Sequence, residues 1–218
     1  MKKIIVAAGL IAFSQAASAH TGLLPTGGFG HGFVHPFLGL DHFLAMLGLG
    51  LWASSQSRLL ATQAIGVFLS FMVAGALFGL AGFGFAYVET AILVSLLLVG
   101  IALSFGTTGL AWRNREAGRY ADLPGFKNLE GLTCSALNKT VILMSIAAFA
   151  SMHGLAHGSE MPLDASAYTY VAGIITATAL LHVSGFVLGL FAQRANAAGL
   201  LRIYGTLTGM VGAWLLFA

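Results

Sequence analysis

The chain has 218 residues, of which 58% are hydrophobic and only 8% charged, and its mean hydropathy is +0.90. A soluble domain carries about 25% charged residues, so a soluble globular fold is excluded and an integral membrane protein is implied. The formal charge of +3 points to no nucleic-acid partner, because the basic residues mark membrane topology, and the single cysteine, Cys134, excludes an internal disulfide and any CxxC motif.

Residues 1–19 read as a secretory signal peptide: Lys2 and Lys3, an apolar run from Ile4 to Phe13, then Ala17-Ser18-Ala19. That is a basic n-region, an h-region too short to span a bilayer, and an A-x-A cleavage site. Cleavage after Ala19 leaves His20 at the mature N-terminus. There its α-amine and imidazole can chelate one metal ion together, or it is simply the residue after the cut. His31 and His35 follow as an HxxxH pair on a Gly-rich segment.

A membrane span needs about 20 apolar residues. Six segments of the mature chain qualify: 36–53, 60–82, 88–112, 140–157, 167–192 and 199–217. Lysine and arginine favour the cytoplasmic side. With the N-terminus outside, Arg58, Arg113, Arg115, Arg119, Lys127, Lys139, Arg194 and Arg202 all fall in or beside inner loops. The expected fold is an all-α integral membrane protein of the bacterial inner membrane, with six transmembrane helices after a cleaved signal peptide and both termini periplasmic. Residues 20–218 form a single domain, with a flexible cytoplasmic loop over 113–139. Gly75-x-x-x-Gly79, Gly185-x-x-x-Gly189 and Gly205-x-x-x-Gly209 are small-residue spacings that let helices approach closely in lipid. A homo-oligomer is compatible with such a bundle.

Ionisable groups inside apolar spans are costly and mark functional sites. Here they fall into two clusters, HPFLGLDH over 35–42 and HGLAHGSE over 153–160. Pro36 suits the first position of the first span, with His35 as its cap. On one continuous helix, about 100° per residue brings His35, His42 and Met46 to one face. Asp41 then points elsewhere, either to orient a ligand on a neighbouring helix or to bind metal itself. His153 and His157 are an i, i+4 pair on one face, and Glu160 joins them if Gly158 does not end the helix. His42 and His153 lie about 9 Å and about 7 Å below the outer ends of their spans, at 1.5 Å per residue. Two adjacent helices can therefore complete one site, and Glu89 at the outer end of the third span reaches the same mouth. His182, alone in mid-span, is either an interhelical hydrogen-bond partner or a second station on a pathway. Met46, Met152 and Met161 read as packing. Nitrogen and oxygen donors of this kind suit a borderline divalent transition metal.

These residues resemble the HupE/UreJ family of nickel and cobalt permeases, linked to hydrogenase and urease maturation. The resemblance rests on the signal peptide ending before His20, on His35-x5-Asp41-His42, and on His153-Gly154-Leu155-Ala156-His157-Gly158-Ser159-Glu160. It covers the whole mature chain. Met152 departs from the aromatic that commonly precedes the second motif. The resemblance implies a secondary permease with no permanently bound cofactor, whose substrate is Ni²⁺ or Co²⁺ and whose pathway is built from the histidines and carboxylates.

Two other readings stay open on the residues alone. One is an intramembrane zinc hydrolase, with His42, His153 and His157 as three ligands and an open fourth position. The other is a membrane metal sensor or binding protein that transports nothing. Haem ligation is disfavoured, because haem has no use for the adjacent Asp41 and Glu160.

Overall fold

The computed structural model describes residues 28–120, 133–163 and 165–217. Seven helices occupy them: α1 (Gly28–Leu38), α2 (Leu40–Ala53), α3 (Arg58–Leu80), α4 (Val88–Tyr120), α5 (Thr133–Ser159), α6 (Ala167–Arg194) and α7 (Ala198–Phe217). Among the described residues there is no strand. The expected signal peptide and His20 lie outside the described residues. Five helices contain stretches long and apolar enough to cross a membrane, and the bent pair α1–α2 passes as a sixth crossing when taken as one span. Their outward faces carry large apolar side chains such as Phe71, Phe78, Leu98, Val187 and Phe191, as lipid contact requires.

The first span differs from expectation. It is not one helix beginning at Pro36 but two, bent by 81° at a break around Gly39. Helix starts at Gly28, so His35 lies within α1 rather than capping it, and Pro36 sits inside the last turn. Proline withholds an N–H from the ladder and crowds the preceding carbonyl, which weakens the helix just before it ends. Gly39 then turns extended, with φ −79° and ψ 113°. Its N–H still donates to the His35 carbonyl at 3.3 Å, while its own carbonyl accepts from Phe43 N–H at 2.8 Å. One residue thus closes α1 and opens α2. The connector expected over 113–139 also differs, since α4 stays helical to Tyr120 and α5 is helical from Thr133; residues 121–132 lie outside the described residues.

Glycine contacts set how the helices pack. A Cβ on Gly75 would run into the Ser151 carbonyl, and one on Gly154 into that of Met72. Helices α3 and α5 therefore run parallel with their backbones touching. Long helix α6 lies along both halves of the broken span: Gly32 and Gly173 close its seam with α1, and Gly50 and Gly185 its seam with α2. Antiparallel α4 and α7 meet through Gly100 and Gly205, while a Cβ on Gly209 would find an ordinary 3.7 Å contact. Two of the three GxxxG spacings thus use both of their glycines for close approach. Met46, Leu49, Phe68, Met72, Tyr170 and Ile174 fill the core between these seams. Arg58, Lys139, Arg194 and Arg202 sit at helix ends opposite those that carry the two histidine motifs.

Close backbone packing predicts a contrast between two glycines. Gly154→Val should destabilise the bundle by about 1–3 kcal/mol, the usual cost of overpacking, and lower its melting temperature in detergent. Gly66, where an added Cβ would meet nothing within 4 Å, should accept alanine without loss. Equal melting of the two variants would refute the packing described.

Candidate metal centre

The break in the first span positions its ligands. His35 leaves the last turn of α1 and His42 the first turn of α2, and the 81° bend folds their imidazoles to a centroid separation of 5.8 Å. Opposite them, α5 presents His153 and His157 one turn apart. His157 packs at 4.8 Å from both His35 and His42, and His153 at 5.3 Å from His42. The two sequence motifs, 111 residues apart from His42 to His153 by their numbering, meet in one cluster.

Donor atoms of His35, His42 and His157 all lie within 4.8 Å of one another. An ion with metal–nitrogen bonds of about 2 Å holds its donors no more than about 4 Å apart. Small rotations of the three rings therefore suffice to enclose one ion.

Hydrogen bonds orient the rings. His42 Nδ1 lies 3.0 Å from Asp41 Oδ1; a carboxylate can only accept, so Nδ1 donates and Nε2 keeps its lone pair. Asp41 thus orients the histidine beside it on its own helix, not a ligand on a neighbouring one, because the first turn after the break brings both side chains together. A Cβ on Gly39 would sit 3.0 Å from His42 Nδ1 and 3.1 Å from Asp41 Oδ1, so a side chain there would crowd the pair. His153 repeats the device: its Nδ1 donates to the Phe149 carbonyl at 2.9 Å. A ligating histidine ordinarily has its other ring nitrogen tied to a carboxylate or carbonyl in this way. The nitrogens left over, His42 Nε2, His153 Nε2 and both of His157, are buried with no hydrogen-bond partner. An unpaired buried polar atom costs about 1–3 kcal/mol, and a cation accepting these lone pairs would relieve it.

The cluster grades from mouth to depth. Glu160 is 46% exposed, His35 15%, and His153 and His157 are sealed. Helix α5 continues through Ser159, and Glu160 N–H still donates to the Ala156 carbonyl at 3.0 Å. Glu160 therefore stays on the ligand side, its Oε2 3.3 Å from His35 Nε2. That imidazole holds the Glu160 carboxyl below the usual carboxylate range. Glu89, in the first turn of α4, lies within electrostatic range of Glu160, Asp41 and His42. The carbonyl end of α5 also points at the mouth, and the negative end of a helix dipole favours a cation.

Two nearby residues carried no sequence signal. Tyr170 is sealed, its hydroxyl has no partner, and it feels the Glu160 charge; a tyrosine in a span reads as packing. Phe68 packs at 5.7 Å against His153, the rings tilted by 58°, and only the fold brings that aromatic there. His31 lies one turn before His35 on α1, outside the trio of converging donors. Beside His153, a cavity of about 290 Å³ is lined by apolar side chains such as Leu49, Val99 and Phe149. Its serines, Ser95 and Ser145, donate to carbonyls of their own helices.

The chain matches the family model described as HupE / UreJ protein over residues 8–117 and 132–215. It is similar to Protein HupE of Rhizobium leguminosarum bv. viciae, with 31% identity over 216 residues, covering 98% of this chain and 97% of that protein. No solved structure matches the chain.

The Asp41–His42 bond makes a specific prediction. In Asp41→Asn, the amide can donate to Nδ1 and turn the imidazole to the wrong tautomer, so affinity for Ni²⁺ should fall about 10–100-fold, measured by equilibrium dialysis of the purified protein. Affinity within twofold of wild type would show that Asp41 does not orient the ligand.

Proposed function

The chain belongs to the HupE/UreJ family, and from that premise we propose that it is a secondary permease for a divalent transition metal ion. The family comprises transport proteins and not enzymes, which sets aside the zinc hydrolase. The proposed substrate is Ni²⁺ first and Co²⁺ second, taken up across the bacterial inner membrane and supplied to hydrogenase or urease maturation. In the same reading residues 1–19 are a cleaved signal peptide, both termini are periplasmic, and the mouth at Glu160 faces the periplasm. His20 then begins the mature chain and can offer an incoming ion its first nitrogen ligands.

One observation carries the proposal. Imidazoles from both halves of a broken span converge with one from α5 to within 4.8 Å, beneath a partly exposed carboxylate. Broken helices inside a membrane are tolerated where they line a site, and transporters use them for ion binding. Imidazole with carboxylate suits Ni²⁺, which binds tightly in the divalent series. The ionised Glu160, with Glu89 nearby, attracts the cation; His35, His42 and His157 replace its water; His153 lies one turn deeper. Such a site must bind well enough to strip water yet release its ion.

His42→Ala and His157→Ala should each reduce ⁶³Ni²⁺ entry into proteoliposomes at least 100-fold, while His31→Ala should retain most of it. Wild-type flux in both of the first two variants would place the pathway elsewhere.

Acid should weaken capture. Glu160 is held below the ordinary carboxylate range and so stays ionised from pH 7.5 to 5.5. Imidazole must be neutral to ligate, and its unperturbed pKa is about 6.5. Ni²⁺ affinity should therefore drop as acid protonates the histidines, and affinity that stays constant until the protein unfolds in acid would contradict histidine ligation.

A further inference from the structure

Histidine 182 has no part in the cluster, yet it is built like a member of it. Resting on the transport reading above, we propose that His182 is a second metal station, where a divalent cation is held after leaving the shared histidine site. The imidazole is fully buried in α6. Its Nδ1 donates to the Met46 carbonyl at 2.8 Å, one turn of α2 and about 6 Å beyond His42. Its Nε2 is buried without a partner. A residue kept only to tie α6 to α2 needs a single donor, which serine supplies without sealing a second polar atom in an apolar core. A tied Nδ1 with a free Nε2 is the arrangement of His42 and His153, and it is the one that presents a lone pair to a metal.

Its position continues the line of the first site. Phe68 packs against His153 at 5.7 Å and against His182 at 4.9 Å, so one aromatic ring adjoins both imidazoles. Weaker donors accompany His182. Thr178, one turn earlier on the same face of α6, donates its hydroxyl to the Met72 sulfur at 3.6 Å, and both residues are buried. Met72 is one turn from Phe68 on α3 and shares its core with Met46. The side chains along this stretch of the core, imidazole, thioether and hydroxyl, are all neutral, unlike the carboxylates of the first cluster. A borderline cation binds such a set less tightly than a His/carboxylate site. Weaker holding at the deeper station favours onward release over trapping, as conduction through successive sites requires.

The test uses the full-length protein and ⁶³Ni²⁺. His182→Asn keeps an amide N–H near the place of Nδ1, and hence the bond to the Met46 carbonyl, but removes Nε2. Equilibrium dialysis should find two ions per wild-type chain, one tight and one weaker. In His182→Asn the weaker ion should be lost, the tight one kept within twofold of its wild-type affinity, and flux into proteoliposomes reduced at least tenfold. A purely structural histidine predicts no change, because the bond survives. Wild-type stoichiometry and flux in His182→Asn would overturn the proposal and leave the permease reading intact. Two ions bound by a wild-type protein that passes none would instead overturn the permease reading, with the second site still standing.

Discussion

A cation in the interior of a bilayer has no water to ligate it, and every lone pair that replaces that water must be oriented before the ion arrives. In this protein the orientation comes from hydrogen bonds to the far nitrogens of the rings. Asp41 fixes His42, the Phe149 carbonyl fixes His153, and the Met46 carbonyl fixes His182. Each bond leaves an Nε2 buried and unpaired. The energetic penalty of those atoms is tolerable only in a bundle packed tightly elsewhere, and the glycine seams supply that packing.

The bend at Gly39 is what lets one span contribute twice. On a straight helix, seven residues separate His35 from His42 by about 10.5 Å of rise, too far for both to touch one ion. Folded through 81°, they reach the same imidazole of α5. Pro36 and Gly39 are therefore as much a part of the site as its ligands. The second motif shows the same economy. In His153-Gly154-x-x-His157-Gly158 the histidines face the cluster, while the glycines beside them press against the Met72 and Ala76 carbonyls of α3. The repeat of His-Gly at one helical turn encodes a ligand face and a packing face together.

Much of this was legible in the sequence, for reasons that can be stated. Composition dictates membrane helices, and five of the spans expected after the first recur in the structure at nearly the same residues. The spacing of His153, His157 and Glu160 places them on one side of α5, and the matching depths of His42 and His153 anticipate their meeting. The break was not legible, because Pro36 fits the first turn of a helix as well as the last and only the packing of α1 along α6 decides between them. The partner of Asp41 was not legible for the same reason, since its direction depends on whether the helix is straight. Phe68 and Tyr170 came into view only through tertiary contact, since aromatic side chains in a span carry no signal that separates lining from packing.

The central claim is that one ion is shared by histidines of the first broken span and of α5. X-ray absorption at the nickel edge, on protein loaded with less than one ion per chain, tests it most directly. The account predicts scattering from at least three imidazoles, with one ring fewer in His42→Ala and likewise in His157→Ala. A spectrum of oxygen ligands alone, or one that neither substitution alters, would contradict it.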